Sequence, residues 1–536
     1  MKVTFFGGAR TVTGSCYLLE IEQDKILVDC GMFQGSKDLE QLNAQKWPFN
    51  PGDISYVILT HAHIDHSGLL PKLNREGFKG KIICTKSTYD LCSVMLPDSG
   101  HIHQMEAEWQ NRKRSRQRKA KVEPLYTEAD AQAVLRHFVA ISYDTITQLT
   151  PAIRFQMRDA GHILGSAIVE MWVTEEEKEL KLVFSGDIGS SGQAIVKDPE
   201  LIEEADYLFV ESTYGNRLHP TAVEKSELLL DIIRQAVREN GLVIIPSFAV
   251  GRTQELLFQL HKLVKQGEIS NIPVYVDSPL AIAATEIFQA NPEVYDEETS
   301  RLFAQGDNPL AFPGLQFVRS AEESQRLNLH KGTAIVIAAS GMADAGRILH
   351  HLKHQLWKEN NHVVFVGYQA EGSLGRKLLS GIKRVKVLGI QVKVGAHIHD
   401  LSAFSAHADR DQLLAWLRGF TNKPKQTFIV HGEEDVALEF KQTIQEQLGL
   451  ECYVPTRGEV IELHGESQGQ LKRQTVEGLF ELSDAELQAY IQALEHNIEG
   501  LGLALRKYRL QETQAMHLSE KLLKLGEQLD EMEEEL

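Results

Sequence analysis

Residues 60–68 read Thr60-His61-Ala62-His63-Ile64-Asp65-His66-Ser67-Gly68, which puts four metal-ligating side chains within six positions. Imidazole nitrogens and carboxylate oxygens are good donors for zinc. The spacer residues let His61 and His63 turn to one point while Asp65 and His66 turn to a neighbouring one, a layout for two adjacent ions. The competing reading, a plain polar loop, fits poorly with an HxHxDH pattern set directly after a strand-like run. Two ions need further donors. His162 in Asp159-Ala160-Gly161-His162, Asp187 in Ser185-Gly186-Asp187 and His431 in Val430-His431-Gly432 all fall where the chain leaves an apolar run. Asp187 is the natural candidate to bridge both ions.

A second group of turns suits phosphates. Ser247-Phe248-Ala249-Val250-Gly251-Arg252 is one, and Ser340-Gly341-Met342-Ala343-Asp344-Ala345-Gly346-Arg347 is another. The third is Gly367-Tyr368-Gln369-Ala370-Glu371-Gly372-Ser373-Leu374-Gly375-Arg376. Each follows an apolar run, opens a helical pattern and pairs glycine with arginine. Free amides at a helix start and a guanidinium make an anion site. The candidate phosphate contacts are Ser247, Gly251, Arg252, Ser340, Gly341, Arg347, Tyr368, Ser373 and Arg376. Such turns are also common structural punctuation. The run Arg112-Lys113-Arg114-Ser115-Arg116-Gln117-Arg118-Lys119 could face a phosphate chain or form a solvated helix face beside Glu106 and Glu108. His350, His351 and His354 have helical ligand spacing but no carboxylate partner in pattern, so a solvated face is expected. His397 and His399 flank an isoleucine in strand spacing, with His399 a candidate neighbour of the metal cluster.

Elements that could carry these side chains are readable. Ile26–Asp29, Tyr56–Thr60, Leu182–Asp187 and Tyr207–Glu211 are apolar strands that exit on polar residues, where α/β folds place their chemistry. From about 205 to 385 the pattern becomes strand–helix alternation, as in Leu242–Pro246, Val274–Asp277, Thr333–Ile337 and Val363–Val366, which predicts a sheet covered by helices. From about 478 the spacing of Leu487, Ile491, Leu494, Ile498 and Leu501, then Leu522, Leu525, Leu529, Met532 and Leu536, predicts helices with a heptad-like seam. Such an arm could support a homodimer or pack on its own chain.

The bulk numbers set limits. A chain of 536 residues predicts two or three domains. At 43% hydrophobic and 24% charged it can bury a sizeable core. No run is apolar enough to span a bilayer, and Met1-Lys2-Val3-Thr4-Phe5-Phe6 enters a strand without a signal-peptide layout, so no membrane partner and a cytoplasmic location are expected. Cys16, Cys30, Cys84, Cys92 and Cys452 lack CxxC spacing and read as free thiols. The net charge of −18 argues against a generic nucleic-acid-coating protein, yet residues 481–536 alone carry 13 acidic against 5 basic residues, a net of −8.

The order Asp29, His61-x-His63-x-Asp65-His66, His162, Asp187 resembles the metallo-β-lactamase superfamily. Glu211 in Glu211-Ser212-Thr213-Tyr214-Gly215, His407 in Phe404-Ser405-Ala406-His407-Ala408-Asp409 and His431 in Val430-His431-Gly432-Glu433 resemble three motifs of its nucleic-acid-processing branch, the β-CASP family. The resemblance covers roughly residues 1–460. It is strongest to bacterial and archaeal relatives of the nuclease subunit of the mRNA 3′-end cleavage factor. It implies an α/β fold: an αββα sandwich (1–204 and 386–465) with an inserted α/β β-CASP domain (205–385), to which the periodicity adds a helical extension (478–536) that is not part of the family's core pattern. It implies two zinc ions, one on His61, His63 and His162 and the other on Asp65, His66 and His431, bridged by Asp187. Asp29 would orient a ligand loop. His407 would be the general acid, oriented by Glu211, so the catalytic set is His407, Glu211, Asp65 and Asp187. The implied activity is hydrolysis of single-stranded RNA, leaving a 5′-phosphate on the downstream fragment, with a 5′–3′ exonuclease mode open.

Rival readings are a DNA nuclease of the same family, a thioester hydrolase or lactamase, a flavin-linked di-iron reductase and a catalytically dead scaffold. Lactamases and thioester hydrolases lack the long insertion, and the reductases usually carry glutamate where this chain has His63. In the family, a histidine at the position of His431 goes with RNA-acting members. Archaeal relatives often begin with RNA-binding modules, whereas this sequence opens on a strand, so a lower affinity for long RNA, or a partner that supplies it, is expected.

Overall fold

The computed structural model describes residues 1–464 and 473–475, apart from 117–119, 176–177, 220–221, 270, 371 and 402–404. The expected helical extension at 478–536 lies outside the described residues.

Among the described residues, two mixed sheets form the sandwich. One has eight strands and includes Lys2–Gly7, Cys16–Ile21, Asp24–Val28, Tyr56–Ile58 and Lys81–Thr85. The other has seven, with Ile153–Asp159, Ala167–Glu175, Lys178–Phe184, Tyr207–Glu211 and Gln426–Val430 among them. Alternate side chains of both sheets meet in one core, because neighbouring residues of a strand point to opposite faces. Phe184, Phe209 and Phe428 form its centre, with rings stacked at 4.2 Å and 4.8 Å. A fully buried ring of this size contributes about 1.5–3 kcal/mol.

The outer face of the seven-stranded sheet packs on helices Arg410–Leu417 and Glu434–Leu448 through Val183, Leu208, Leu414 and Phe440. The first of these helices starts at Asp409, whose side chain accepts from the Gln412 amide in a capping box. Helix Lys86–Arg116 follows strand Lys81–Thr85 of the other sheet. Its Arg112 pairs with Glu108 on an exposed face.

The insertion is visible in the strand order. Tyr207–Glu211 pairs in parallel with Gln426–Val430, register Glu211↔Val430, and Lys2–Gly7 pairs with Glu459–Glu462, so the chain returns to both sandwich sheets after the second domain. That domain has a six-stranded sheet built from strands between Val243 and Asp400. Strands such as Val243–Pro246 and Ile335–Ala338 pair in parallel and are buried on both faces, which explains their unbroken apolar runs. The expected boundaries shift accordingly. Tyr207–Glu211 belongs to the sandwich and not to the insert, and His397–Asp400 belongs to the insert sheet and not to the second part of the sandwich. All five cysteines are free and buried. Among the described residues no helix is long and apolar enough to cross a membrane.

Candidate metal centre

Parallel pairing brings the polar ends of several strands to one rim. Asp29 follows Asp24–Val28, and His61 and His63 follow Tyr56–Ile58 ahead of the short helix Ile64–Ser67. Asp187 follows Lys178–Phe184, Glu211 ends its strand, and His431 follows Gln426–Val430. His162 lies in the turn after Ile153–Asp159, where Gly161 and Gly165 adopt positive φ. A side chain at Gly161 would meet the Lys197 carbonyl at 2.5 Å, so only glycine fits beside this histidine. His431 and Asp29 themselves have φ of 48° and 60°. A main-chain bond from His431 to the Gly8 carbonyl, 2.6 Å, and one from Asp29 to Ile58, 3.0 Å, hold them there.

The side chains converge as two sets that share one carboxylate. His61 Nε2 is 3.1 Å from His63 Nδ1, and His162 Nε2 is 3.2 Å from the same atom. Asp187 Oδ2 lies 3.3 Å from His61 Nε2 and 3.5 Å from His162 Nε2. Its other oxygen, Oδ1, lies 3.3 Å from His66 Nε2 and 3.4 Å from His431 Nε2. Asp65 Oδ2 completes the second set, 4.0 Å from His431 Nε2. In a tetrahedral site with bonds of about 2.1 Å, donor atoms stand about 3.4 Å apart. Most of these separations match that value. Moreover, His66 Nε2, His431 Nε2 and Asp187 Oδ1 are buried and have no hydrogen-bond partner. Buried polar atoms without partners are costly, and cations between them remove that cost. Each of the two sets is a group whose donor atoms could hold a metal ion.

Further groups fix the ligands. Asp29 Oδ2 takes a hydrogen bond from His66 Nδ1 at 2.7 Å and another from the Thr60 hydroxyl at 2.9 Å, while its Oδ1 accepts from the Thr60 amide at 2.8 Å. Ser15 Oγ is 2.8 Å from His431 Nδ1. Sequence reasoning missed Ser15. The only signal was its place in the glycine-rich stretch after the first strand, Gly7-Gly8 to Gly14-Ser15.

Beside the shared carboxylate stands His407. Its Nε2 is 4.0 Å from Asp187 Oδ2, and its Nδ1 is 3.1 Å from both oxygens of Glu211. Glu211 is fully buried and also accepts from the Ile188 amide at 2.6 Å. Burial works against a charged His407 ring, but the Glu211 and Asp187 carboxylates outweigh it and raise its pKa to about 9. Burial pushes His431 the other way, to about 3, and lowers His63 and His162 as well. Burial thus favours the neutral, ligand form of His63, His162 and His431, whereas His66, held well above its ordinary value against burial by Asp187 and Asp29, keeps its proton as His407 does.

The phosphate candidates divide. Arg252 is buried and paired with Glu255. Arg347 donates to Asp277 Oδ1 at 2.6 Å and to the Val318 and Arg319 carbonyls. Both guanidinium groups thus have carboxylate partners within the insert, Arg252 on its own helix and Arg347 across the sheet. Ser247 Oγ bonds to the Phe248 carbonyl, Ser340 Oγ accepts from Asp344 and Ala345, and Ser373 Oγ caps its own short helix. Tyr368 donates to Glu433. Gly251 has a φ of 78° and backs onto Ile163, next to His162. Gly341 is covered by the Phe248 ring. Arg376 is exposed. Two histidine expectations also change. His351 is buried and 2.6 Å from Asp277 Oδ2, so it is not on a solvated face. His399 stands 3.0 Å from His362 on a strand of the insert sheet and belongs to neither set of the rim cluster.

Comparison with known proteins agrees with this architecture. Residues 9–247 match the metallo-beta-lactamase superfamily, 253–378 the Beta-Casp domain, and 391–455 the Zn-dependent metallo-hydrolase RNA specificity domain. The chain belongs to the β-CASP family of the metallo-β-lactamase superfamily, the nucleic-acid-processing branch of those metal-dependent hydrolases. Among individual relatives, a ribonuclease of Thermus thermophilus is 37% identical over 438 residues, covering 82% of this chain and 94% of its own length. The transcription termination factor FttA of Methanocaldococcus jannaschii is 33% identical over 471 residues, covering 86% of this chain and 71% of that protein. FttA of Methanococcus maripaludis is 32% identical over 476 residues, with coverage of 86% and 72%.

Proposed function

We propose that this protein is a ribonuclease that hydrolyses phosphodiester bonds of single-stranded RNA in RNA processing or decay, with two zinc ions as cofactor. The observation that carries this reading is the division of Asp187, with one oxygen facing His61 and His162 and the other facing His66 and His431. The match to an RNA specificity domain and the ribonuclease of Thermus thermophilus support RNA as substrate. Exposed Arg376 is the candidate contact to an RNA phosphate.

His61, His63 and His162 would hold one ion, and Asp65, His66 and His431 the other, with Asp187 shared. When bound, such a pair supplies positive charge for the phosphoryl oxygens and acidifies a water towards neutral pH. Asp29 and Ser15 fix the ring orientations of His66 and His431. His407 holds a proton on Nε2, facing the Asp187 side, while Glu211 anchors Nδ1. That proton goes to the departing ribose oxygen, and the phosphate stays on the downstream fragment.

The test compares wild type with His407→Ala on a 5′-labelled single-stranded RNA and its DNA counterpart, with metal content measured. The expected result is RNA cleavage, at least two zinc ions per chain and the same content in both proteins, and a loss of about 10²–10⁴-fold in rate for the variant. Turnover of DNA alone would overturn the substrate reading. Full activity in His407→Ala would overturn its role as acid.

The heptad-like spacing beyond residue 478 supports a homodimer as part of the same proposal.

A further inference from the structure

A second cluster of ligand-type side chains lies in the insert, outside the rim site. Strands His362–Phe365 and His397–Asp400 run in parallel at one edge of the six-stranded sheet, with His362 opposite His397 and Val364 opposite His399. This register places the three histidines on one face, since residues two apart on a strand point the same way. The rings of His362 and His397 stack at 4.7 Å, and those of His362 and His399 at 5.2 Å. Helix Ala222–Glu239 ends above them. Its last residue, Glu239, brings Oε2 to 3.2 Å from His362 Nε2 and to 3.2 Å from His397 Nε2.

We propose that Glu239, His362 and His397 form a further binding site for a divalent transition-metal ion such as zinc, separate from the rim site.

The arrangement fits a metal site. His362 is within hydrogen-bond distance of Glu239, and the same carboxylate oxygen faces a second imidazole nitrogen equally, at 3.2 Å each. Donors around one tetrahedral ion with bonds of about 2.1 Å stand about 3.4 Å apart, so three such atoms converging on one point can share an ion. The partner of the remaining ring nitrogen fits as well. His362 Nδ1 is 3.0 Å from His399 Nε2, which fixes the ring with Nε2 towards Glu239, as the outer partner of a metal-bound histidine does. The helix end adds carbonyl charge that favours a cation. His362 is enclosed, but the His397 side chain is 43% exposed, so an ion has an entry path and a free coordination position. Bound there, the ion ties the outer strand of the sheet to the helix and to the neighbouring strand. In sequence that strand precedes the stretch carrying His407.

The full-length protein is stripped with a chelator, reloaded with zinc, freed of excess zinc by gel filtration, and analysed for metal beside Glu239→Gln and His397→Ala. Both positions are partly exposed, and an unchanged circular-dichroism spectrum in chelator identifies folded variants. Each variant is expected to hold one zinc ion fewer per chain than wild type and to lose part of the zinc-dependent rise in melting temperature. Because the reading is a difference, it stands whether the rim holds two ions, one or none. Equal zinc content in wild type and both variants overturns the proposal.

Discussion

Ser15→Ala tests whether the metal centre depends on a partner that no ligand pattern reveals. The substitution removes one oxygen and little else. The Ser15 amide still donates to the Asp65 carbonyl at 2.9 Å, and its carbonyl still accepts from the Gly31 amide at 2.9 Å, so the loop stays in place. What disappears is the acceptor for His431 Nδ1, 2.8 Å away, together with a partner of the buried Tyr17 hydroxyl. With His431 Nε2 turned to Asp187 and Asp65, Nδ1 must carry the ring proton, and Ser15 Oγ receives it. Ser15 and His431 are both buried, so water does not readily replace the hydroxyl. An unpaired buried donor costs about 1–3 kcal/mol. Loss of such an outer partner lowers metal affinity about 10–100-fold, or about 1.4–2.7 kcal/mol. The assay is a zinc titration against a competing chelator. One of the two rim ions is expected to weaken by that factor, and the other to keep its affinity, because His61, His63 and His162 make no hydrogen bond to Ser15. RNA cleavage should fall at limiting zinc and recover at excess zinc. Equal weakening of both ions, or of neither, would refute the reasoning.

Three further outcomes follow from particular groups. Burial raises the pKa of Asp159 to about 7, against pulls from the Gly161 amide and Lys197. The folded chain then keeps a proton that the unfolded chain releases above about pH 4, so this group's cost grows as pH rises from about 4 to 7 and is constant beyond, reaching at most about 4 kcal/mol. Asp159→Asn keeps an acceptor for Gly161, and its melting temperature should exceed that of wild type by a margin that widens between pH 5 and 8; parallel curves would contradict this. Arg376→Ala is expected to weaken RNA binding and reduce the slope of log affinity against log salt by about one, as measured by fluorescence anisotropy across salt concentrations. Truncation after residue 478 is expected to halve the mass in solution by light scattering, and an unchanged mass removes the dimer.

The rim cluster was legible because its constraint is local. Four of its side chains sit in one nine-residue stretch whose spacing has few other uses, and Asp187 and His431 stand where an apolar run stops. The sandwich was legible for a similar reason, since parallel strands buried on both faces read as unbroken apolar runs. The insert's edges were less so. Tyr207–Glu211 looks like any buried parallel strand, and its place between Lys178–Phe184 and Gln426–Val430, the latter far along the chain, assigns it to the sandwich.

Partners chosen by the tertiary structure left no trace of that kind. A Gly–Arg turn has the same sequence whether its guanidinium faces a phosphate or an internal acid. Arg347 meets Asp277 across 70 residues of sequence, and His351 meets the same aspartate across 74. The aspartate is fully buried, and a lone carboxylate there would be expensive. Arg347, His351 and Ser324 together satisfy it, and they hold its pKa down against the effect of burial. One buried acid thus accounts for an arginine and a histidine that the sequence offered as a phosphate contact and a surface residue. Ser15 shows the converse. Serine is too common to signal anything, yet the fold sets it against the one ring nitrogen of His431 that faces away from the metal-binding site. A ligand set can be read from spacing, but the groups that orient it are defined by packing.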